Sequence, residues 1–336
     1  MNKRTIRMGF VDFGPDPGLA DLLLNLLSLH YDIQQVAKPD YVVHSVFEKN
    51  VLHEPGVRIF FTGENVRPDF NISDYAISFD WLSFGDRHHR LPLYRLYPEY
   101  AEMLRPRPPA IAESLRNKPA FCAFVCTNPV GAPERKVMFD LLGRYKRVES
   151  GGGWLNNTGG RVDDKRAFQS RAKFVMAFEN SSAPGYTTEK LMQALAAGAV
   201  PVYWGDPLVA RDFNPRAFVN CHDFPSFEAA LERVIAIDRD DNLWRAMVSE
   251  PCFRDGREPE ALREAAILEF FNHIFEQPLQ QAFRRDRTIW GPRYEQRQKV
   301  AFYQPWRQFA GMVRERSRSI RRQWRNRAKK TEAGKS

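Results

Sequence analysis

The sequence predicts an α/β protein of two halves, each a sheet flanked by helices, facing one another across a cleft. Three observations predict it. The chain has 336 residues, more than one hydrophobic core usually serves. Short runs rich in β-branched and aromatic residues alternate with helix-forming runs through both halves. Residues 173–204 hold one complete unit: "KFVMAF", then "TEKLMQALAAG", then "AVPVYW". Strand, helix, strand within that span implies parallel pairing and a right-handed crossover.

In the first half "TIRMGFVDF" reads as strand and "GLADLLLNLLSLHY" as helix, followed by strands "YDIQQVA", "DYVVHSVF", "VRIFFTG" and "DYAISF". The Pro- and aromatic-rich "PLYRLYPEYAEMLRPRPPA" is expected to wind around the outside. "AFCAFVC" is the next strand and "APERKVMFDLLGRY" the next helix. The glycine-rich "ESGGGWLNNTGG" reads as a flexible joint, which predicts domains at 1–150 and 151–285 with a basic helical tail at 286–336. The second half continues with a helix near Asp163–Ser170 capped by "VDDK", then the βαβ unit, strand "AFVN", helix "SFEAALERVIAID" and a long helix from about Pro259 to Phe275.

A hydrophobic fraction of 43% with 27% charged residues is ordinary for a soluble globular chain. No run of about eighteen apolar residues marks a membrane span, and "MNKRTIRMGFVDFG" enters a strand pattern without a signal-peptide core. The four cysteines lack metal-ligand spacing, and Cys122 and Cys126 read as small buried hydrophobes of one strand. A reduced, cytoplasmic protein is expected. Residues 312–330 hold nine Arg or Lys against one Glu, so they carry nearly all of the net charge of +9. A neutral body with a basic tail points to an anionic surface and not to a nucleic-acid groove. Trp306, Phe309, Val313, Ile320 and Trp324 share one helical face, so residues 306–330 read as a helix lying on an anionic membrane, or alternatively as a disordered basic tail.

Packing explains the apolar residues of the βαβ unit but not Asn180, Tyr186, Glu189 and Lys190, which fall where its first strand ends and its helix begins. Ligands of open α/β sheets bind at that edge, and a helix N-terminus there favours an anion, so the loop reads as a holder for a phosphate-bearing ligand.

"FENS" (178–181), "GYTTEK" (185–190) and "PVYWG" (201–205), in this order, resemble the donor signature of the α-1,3/4-fucosyltransferases, the bacterial branch above all. "FTGENVRPDFNISDYAISFDWLSFGDRHHRLPLY" resembles that family's acceptor-side segment, and "GAPERKVMFDLLGRYKRVESGGGWLNNTGG" its inter-domain region. The resemblance implies a GT-B fold of two Rossmann-like domains and inverting transfer of fucose from GDP-fucose to an oligosaccharide hydroxyl, such as O3 of GlcNAc in a lipopolysaccharide O-antigen. It implies no cofactor and no essential divalent metal.

Inverting transfer needs a base for the acceptor hydroxyl, and the resemblance assigns it to Glu64; spacing alone also reads Glu64 as a turn cap. The resemblance puts Lys190 on the donor diphosphate and has Arg135 reach it from the other domain, whereas the residues alone allow solvated helix charges. Glu189 matches a contact to the donor ribose or to the developing charge on fucose, and it also suits the helix dipole. Asn180 and Tyr186 are expected to touch the donor or to satisfy the loop backbone. Thr187 departs from the family, which usually has an apolar β-branched residue there. His88 and His89 read as exposed loop histidines, not as a metal site. Heptads preceding the tail, common in bacterial members, are absent, which leaves a homodimer open. The competing functions are a transferase of the same fold with another nucleotide-sugar and a non-catalytic nucleotide- or nucleic-acid-binding protein.

Overall fold

The computed structural model describes residues 3–14, 18–286 and 288–302, without the side chains of Pro109, Leu115 and Arg116. The predicted tail helix at 306–330 lies outside these residues.

Two all-parallel sheets are present. The first contains β1 (Arg4–Val11), β2 (Tyr31–Gln35), β3 (Tyr41–His44), β4 (Val57–Phe60), β5 (Tyr75–Ser78) and β6 (His88–Arg90), in the order β2-β1-β3-β4-β5-β6. The second contains β7 (Ala120–Phe124), β8 (Val148–Ser150), β9 (Ala172–Phe178), β10 (Val200–Trp204) and β11 (Val219–Asn220), in the order β11-β10-β9-β7-β8. In both sheets the chain lays its second strand outside its first and then crosses to the other side. The strand order therefore reverses between β1 and β3 and again between β7 and β9, and ligands favour the crevice beyond the carboxyl ends of such strands.

The interior strands β3, β4 and β5 are buried at every position, which explains why they read as continuous runs without alternation. The helix Gly18–Ser28 buries Ala20, Leu23, Leu26 and Leu27 in the first core. That core is completed from far along the chain. The helix Glu264–Glu276 adds Ile267, Phe270, Phe271, Ile274 and Phe275, with the Phe275 ring edge-on to Tyr31 at 5.1 Å and to Tyr41 at 4.8 Å.

The expected division at residue 150 is therefore displaced. Strands β7 and β8 hydrogen-bond within the second sheet, so the chain changes sheets between Arg90 and Ala120. The helix at 264–276 returns to the first unit. The glycine-rich stretch is not a joint. Gly151 donates to the Phe124 carbonyl, Val162 donates back to Gly151, and Asn157 holds the Ser150 amide. A Cβ on Gly152 would lie 2.1 Å from the Cys126 carbonyl oxygen, so glycine serves close backbone approach there.

His88 and His89 are likewise not exposed loop residues. They form β6, where His88 Nε2 pairs with Ser78 Oγ at 2.9 Å and His89 Nε2 with the Ala261 carbonyl at 2.8 Å. Burial pushes the His88 imidazole down to about 4, so it is neutral. The neighbouring Arg90 bolts the two units together. Its guanidinium grips buried Asp212 at 3.2 and 2.6 Å, and Tyr94 Oη donates to the same carboxylate at 2.8 Å. The 290–302 segment is helical and tied under the first sheet, with Glu295 on buried Arg58 at 3.0 Å and Tyr294 Oη on Asp69 at 2.6 Å.

Candidate functional site

A cavity of about 570 Å³ opens between the carboxyl ends of the two sheets, with Gly63, Glu64 and Phe47 on the first side and Asn180, Tyr186, Glu189 and Lys190 on the second. Of the predicted site residues, the structure brings together Glu64, Asn180, Tyr186, Glu189 and Lys190.

Glu64 follows β4 by a short turn that is pinned from both sides. Its amide donates to Thr62 Oγ1 at 3.2 Å, and Ser45 Oγ, beyond β3, donates to the same oxygen at 3.0 Å. Tyr186 Oη crosses from the second unit to the Gly63 carbonyl at 3.3 Å, and Asn65 Nδ2 crosses the other way to Ser181 Oγ at 2.8 Å. Amide, carbonyl and neighbouring side chain are thus all held while the Glu64 side chain remains exposed in the cavity. Tyr186, expected on the donor, is 3% exposed with its ring edge-on to Phe79 at 5.1 Å. It lines the cavity and braces the turn that carries Glu64.

The opposite wall is organised by Glu179, which sequence reasoning passed over in favour of its neighbour Asn180. Glu179 is wholly buried. One carboxylate oxygen accepts the Thr188 amide at 2.7 Å; the other accepts Thr188 Oγ1 at 2.7 Å and Lys190 Nζ at 2.9 Å. Lys190 Nζ also donates to Thr188 Oγ1 at 2.7 Å and lies 3.5 Å from Glu189. Burial works against the Lys190 charge, but Glu179 and Glu189 outweigh it and raise the ammonium pKa above its ordinary value. Burial likewise opposes the Glu189 charge, but Lys190 and Lys165 hold the carboxyl below its usual range. Both side chains are therefore ionised at neutral pH. The signal in the sequence was an acid directly after the apolar run 174–178, where an unpaired carboxylate is untenable and a cation must be found for it.

The loop between them is clamped by Asp206. Its carboxylate accepts the Gly185 and Leu208 amides at 2.7 Å each and Thr187 Oγ1 at 3.2 Å. The Thr187 hydroxyl, the departure from the family pattern, is thereby put to use. Gly185 sits at φ +87° with a Cβ position 2.5 Å from the Phe79 carbonyl oxygen. Gly185→Ala is expected to lower stability by about 1–3 kcal/mol, read as a fall in the urea midpoint. An unchanged midpoint would show the loop free to move.

Arg135 corrects an expectation. It lies in the helix Glu134–Tyr145 of the same unit as Lys190, not across the cleft, and is 1% exposed. Its guanidinium donates to Asn180 Oδ1 at 3.3 Å and to the Val130 carbonyl at 2.8 Å, and it lies 5.3 Å from the Trp154 ring centroid. Packing behind Asn180 keeps it off the cavity wall. Cys126 lies beyond β7 and accepts from Arg135 at 3.1 Å, so it is not a core strand residue.

Comparison with known proteins agrees with this geometry. Residues 8–97 match the α-(1,3)-fucosyltransferase FucT N-terminal domain, and residues 115–249 match the C-terminal region of glycosyltransferase family 10. The chain is 34% identical over 296 residues to the α-(1,3)-fucosyltransferase FucT of Helicobacter pylori, covering 76% of this chain and 62% of that protein. It is 30% identical over 186 residues to the GDP-fucose protein O-fucosyltransferase 3 of Bos taurus, covering 51% of this chain and 39% of the other. The chain thus spans less than two thirds of either curated relative. A crystal structure of an α1,3-fucosyltransferase superposes with a TM-score of 0.72 at 30% identity, covering 82% of this chain and 91% of that one. The structure of an α1,3-fucosyltransferase with GDP-fucose superposes at 0.69 and 29% identity, covering 86% and 93%.

Proposed function

Since this chain belongs to glycosyltransferase family 10, the fucosyltransferases, we propose that it transfers L-fucose from GDP-fucose to an oligosaccharide hydroxyl with inversion. The observation that carries the reading is the single cavity with an exposed carboxylate, Glu64, on one wall and a charged Lys190 on the other.

In the proposed reaction Glu64 accepts the acceptor hydroxyl proton. The freed oxygen attacks the anomeric carbon from the face opposite the diphosphate. As that C–O bond forms, the bond from the anomeric carbon to the phosphate oxygen breaks, and the electron pair leaves with GDP. The charge gained by the leaving diphosphate is met by Lys190, which is already ionised and held in place. Glu189 faces the fucose or the donor ribose. Asn180 contacts the donor, and Arg135 serves it by fixing the Asn180 amide. No divalent metal is assigned a part. The acceptor is read as a lactosamine-type glycan fucosylated at O3 of GlcNAc, with lipopolysaccharide as its class.

GDP is expected to raise the melting temperature and UDP and RNA to leave it unchanged, since only a ligand of the native state stabilises it. A shift with UDP alone would favour another nucleotide-sugar. A shift with RNA alone would favour a nucleic-acid-binding protein. Linkage analysis of the product from N-acetyllactosamine then checks the acceptor position.

The location at the inner face of a membrane rests on the basic segment 306–330, outside the described residues. No helix of the described residues is long and apolar enough to cross a membrane. The full chain is expected to sediment with anionic vesicles at low salt and to be released at high salt. Indifference to the vesicles would remove the surface reading. A homodimer is the remaining part of the proposal, checked by sedimentation velocity.

A further inference from the structure

The first sheet has its own reversal of strand order, between β1 and β3, and the chain beyond those two strands is built around one exposed aromatic ring. Beyond β1, Asp12 is a non-glycine residue held at φ 64°, and it is buried. Its carboxylate accepts the Asn50 and Val51 amides at 2.9 Å each, and its carbonyl accepts the Phe47 amide at 3.1 Å. Strained backbone of this kind persists where the surroundings over-determine it, and it concentrates at ligand sites. All three bonds fix the segment beyond β3 that carries Phe47.

Phe47 is 48% exposed and lines the same cavity as Glu64. One side of the ring is occupied by backbone. Gly14, at φ +72°, lies so close that a Cβ there would be 2.9 Å from Phe47 Cγ and 3.2 Å from both Cδ atoms. The exposed ring surface therefore lies away from Gly14, and the same side of the cavity is lined largely by apolar groups, Phe13, Leu19, Leu22, Leu93 and the Tyr97 ring. The donor wall, with Lys190, Glu189 and Asn180, is on the other unit. A largely apolar wall with an exposed, fixed aromatic ring does not suit a diphosphate. It does suit a neutral pyranose, which has a C–H face for the ring and a hydroxyl rim for a carboxylate.

We infer that Phe47 is the platform on which a pyranose ring of the acceptor stacks, its C–H face on the phenyl ring and its reacting hydroxyl directed to Glu64. The inference rests on the transfer reaction proposed above and adds to it the residue that selects the acceptor. Asp12 acts through Phe47 as a positioning residue.

The test measures KM and kcat separately for GDP-fucose and N-acetyllactosamine in Phe47→Ala and Phe47→Trp. Phe47→Ala is expected to raise the acceptor KM about tenfold and to leave the donor KM within about twofold, the scale of one lost aromatic contact. Phe47→Trp should restore the acceptor KM. Its added indole should also change emission, relative to the parent protein, when N-acetyllactosamine is titrated in the absence of donor. That signal reads contact directly, so a protein that binds the acceptor but fails to use GDP-fucose would overturn the transfer reading and leave the platform standing. An unchanged acceptor KM in Phe47→Ala, an equal rise in the donor KM, or a silent indole would each overturn the platform.

Discussion

Glu64→Gln is expected to slow fucosyl transfer about 10²–10⁴-fold while GDP-fucose affinity stays within about twofold. The size follows from what is removed. Gln keeps the volume and one carbonyl oxygen but cannot take the acceptor proton. The turn beneath it is held by backbone and neighbouring contacts that the substitution leaves in place: the Glu64 amide on Thr62, the Gly63 carbonyl under Tyr186 and Asn65 on Ser181. The loss should therefore fall on kcat. Single-turnover rates and donor titration on the same preparation check it. Near-parental turnover would remove Glu64 from the chemistry and leave it as a rim carboxylate. A parallel collapse of donor affinity would show that the turn had moved.

Lys190→Ala should be the more damaging change to the protein as a whole. Its Nζ lies 2.9 Å from Glu179, which has no exposed surface. Removing the half-buried Lys190 strands a fully buried carboxylate, a loss of up to about 3 kcal/mol. The same substitution deletes the cation opposite the donor diphosphate, so GDP and GDP-fucose affinity should fall together. The two effects separate in a double variant. Glu179→Gln with Lys190→Met replaces both charges by groups of similar volume and should recover most of the stability without recovering GDP affinity. If stability and affinity return together, Lys190 is structural. If Lys190→Ala alone melts like the parent protein, Glu179 is satisfied by Thr188 without it.

How much of this was legible in the sequence varies with how local the signal is. The βαβ unit was, because its strands are apolar apart from Lys173 and its helix ends on a glycine, and the structure gives Ala172–Phe178, Glu189–Ala196 and Val200–Trp204. Lys190 was read toward a ligand because it falls where a strand ends and a helix begins, whereas Glu64 was assigned by the resemblance, its spacing alone favouring a turn cap. Glu179 was not read, since its partners lie nine and eleven residues on and meet it only once the intervening loop brings the helix start back to the strand end. Strand β6 was missed because "HHR" has no apolar pattern; pairing with β5 and contacts to Ser78 and Ala261 make it a strand. The glycine-rich stretch misled for a related reason. Composition shows that glycines permit flexibility but not that the Cys126 backbone comes to lie where a side chain would stand.

The return of the helix Glu264–Glu276 to the first core sets the order in which this protein can be born. On the ribosome the first sheet emerges at once, yet the phenylalanines that cover one of its faces are still unmade. At 5–20 residues per second, the wait from Arg90 to Phe275 is on the order of 10–40 s. The second unit has all its strands between residues 120 and 220 and closes its cores with Trp244, Met247, Phe253 and Leu262, just before the returning helix is made. It is expected to fold first, with the earlier-made sheet left as a chaperone client until its closing helix arrives. A fragment ending before residue 264 should for that reason expose the apolar face permanently and aggregate, although it contains every residue of the cavity.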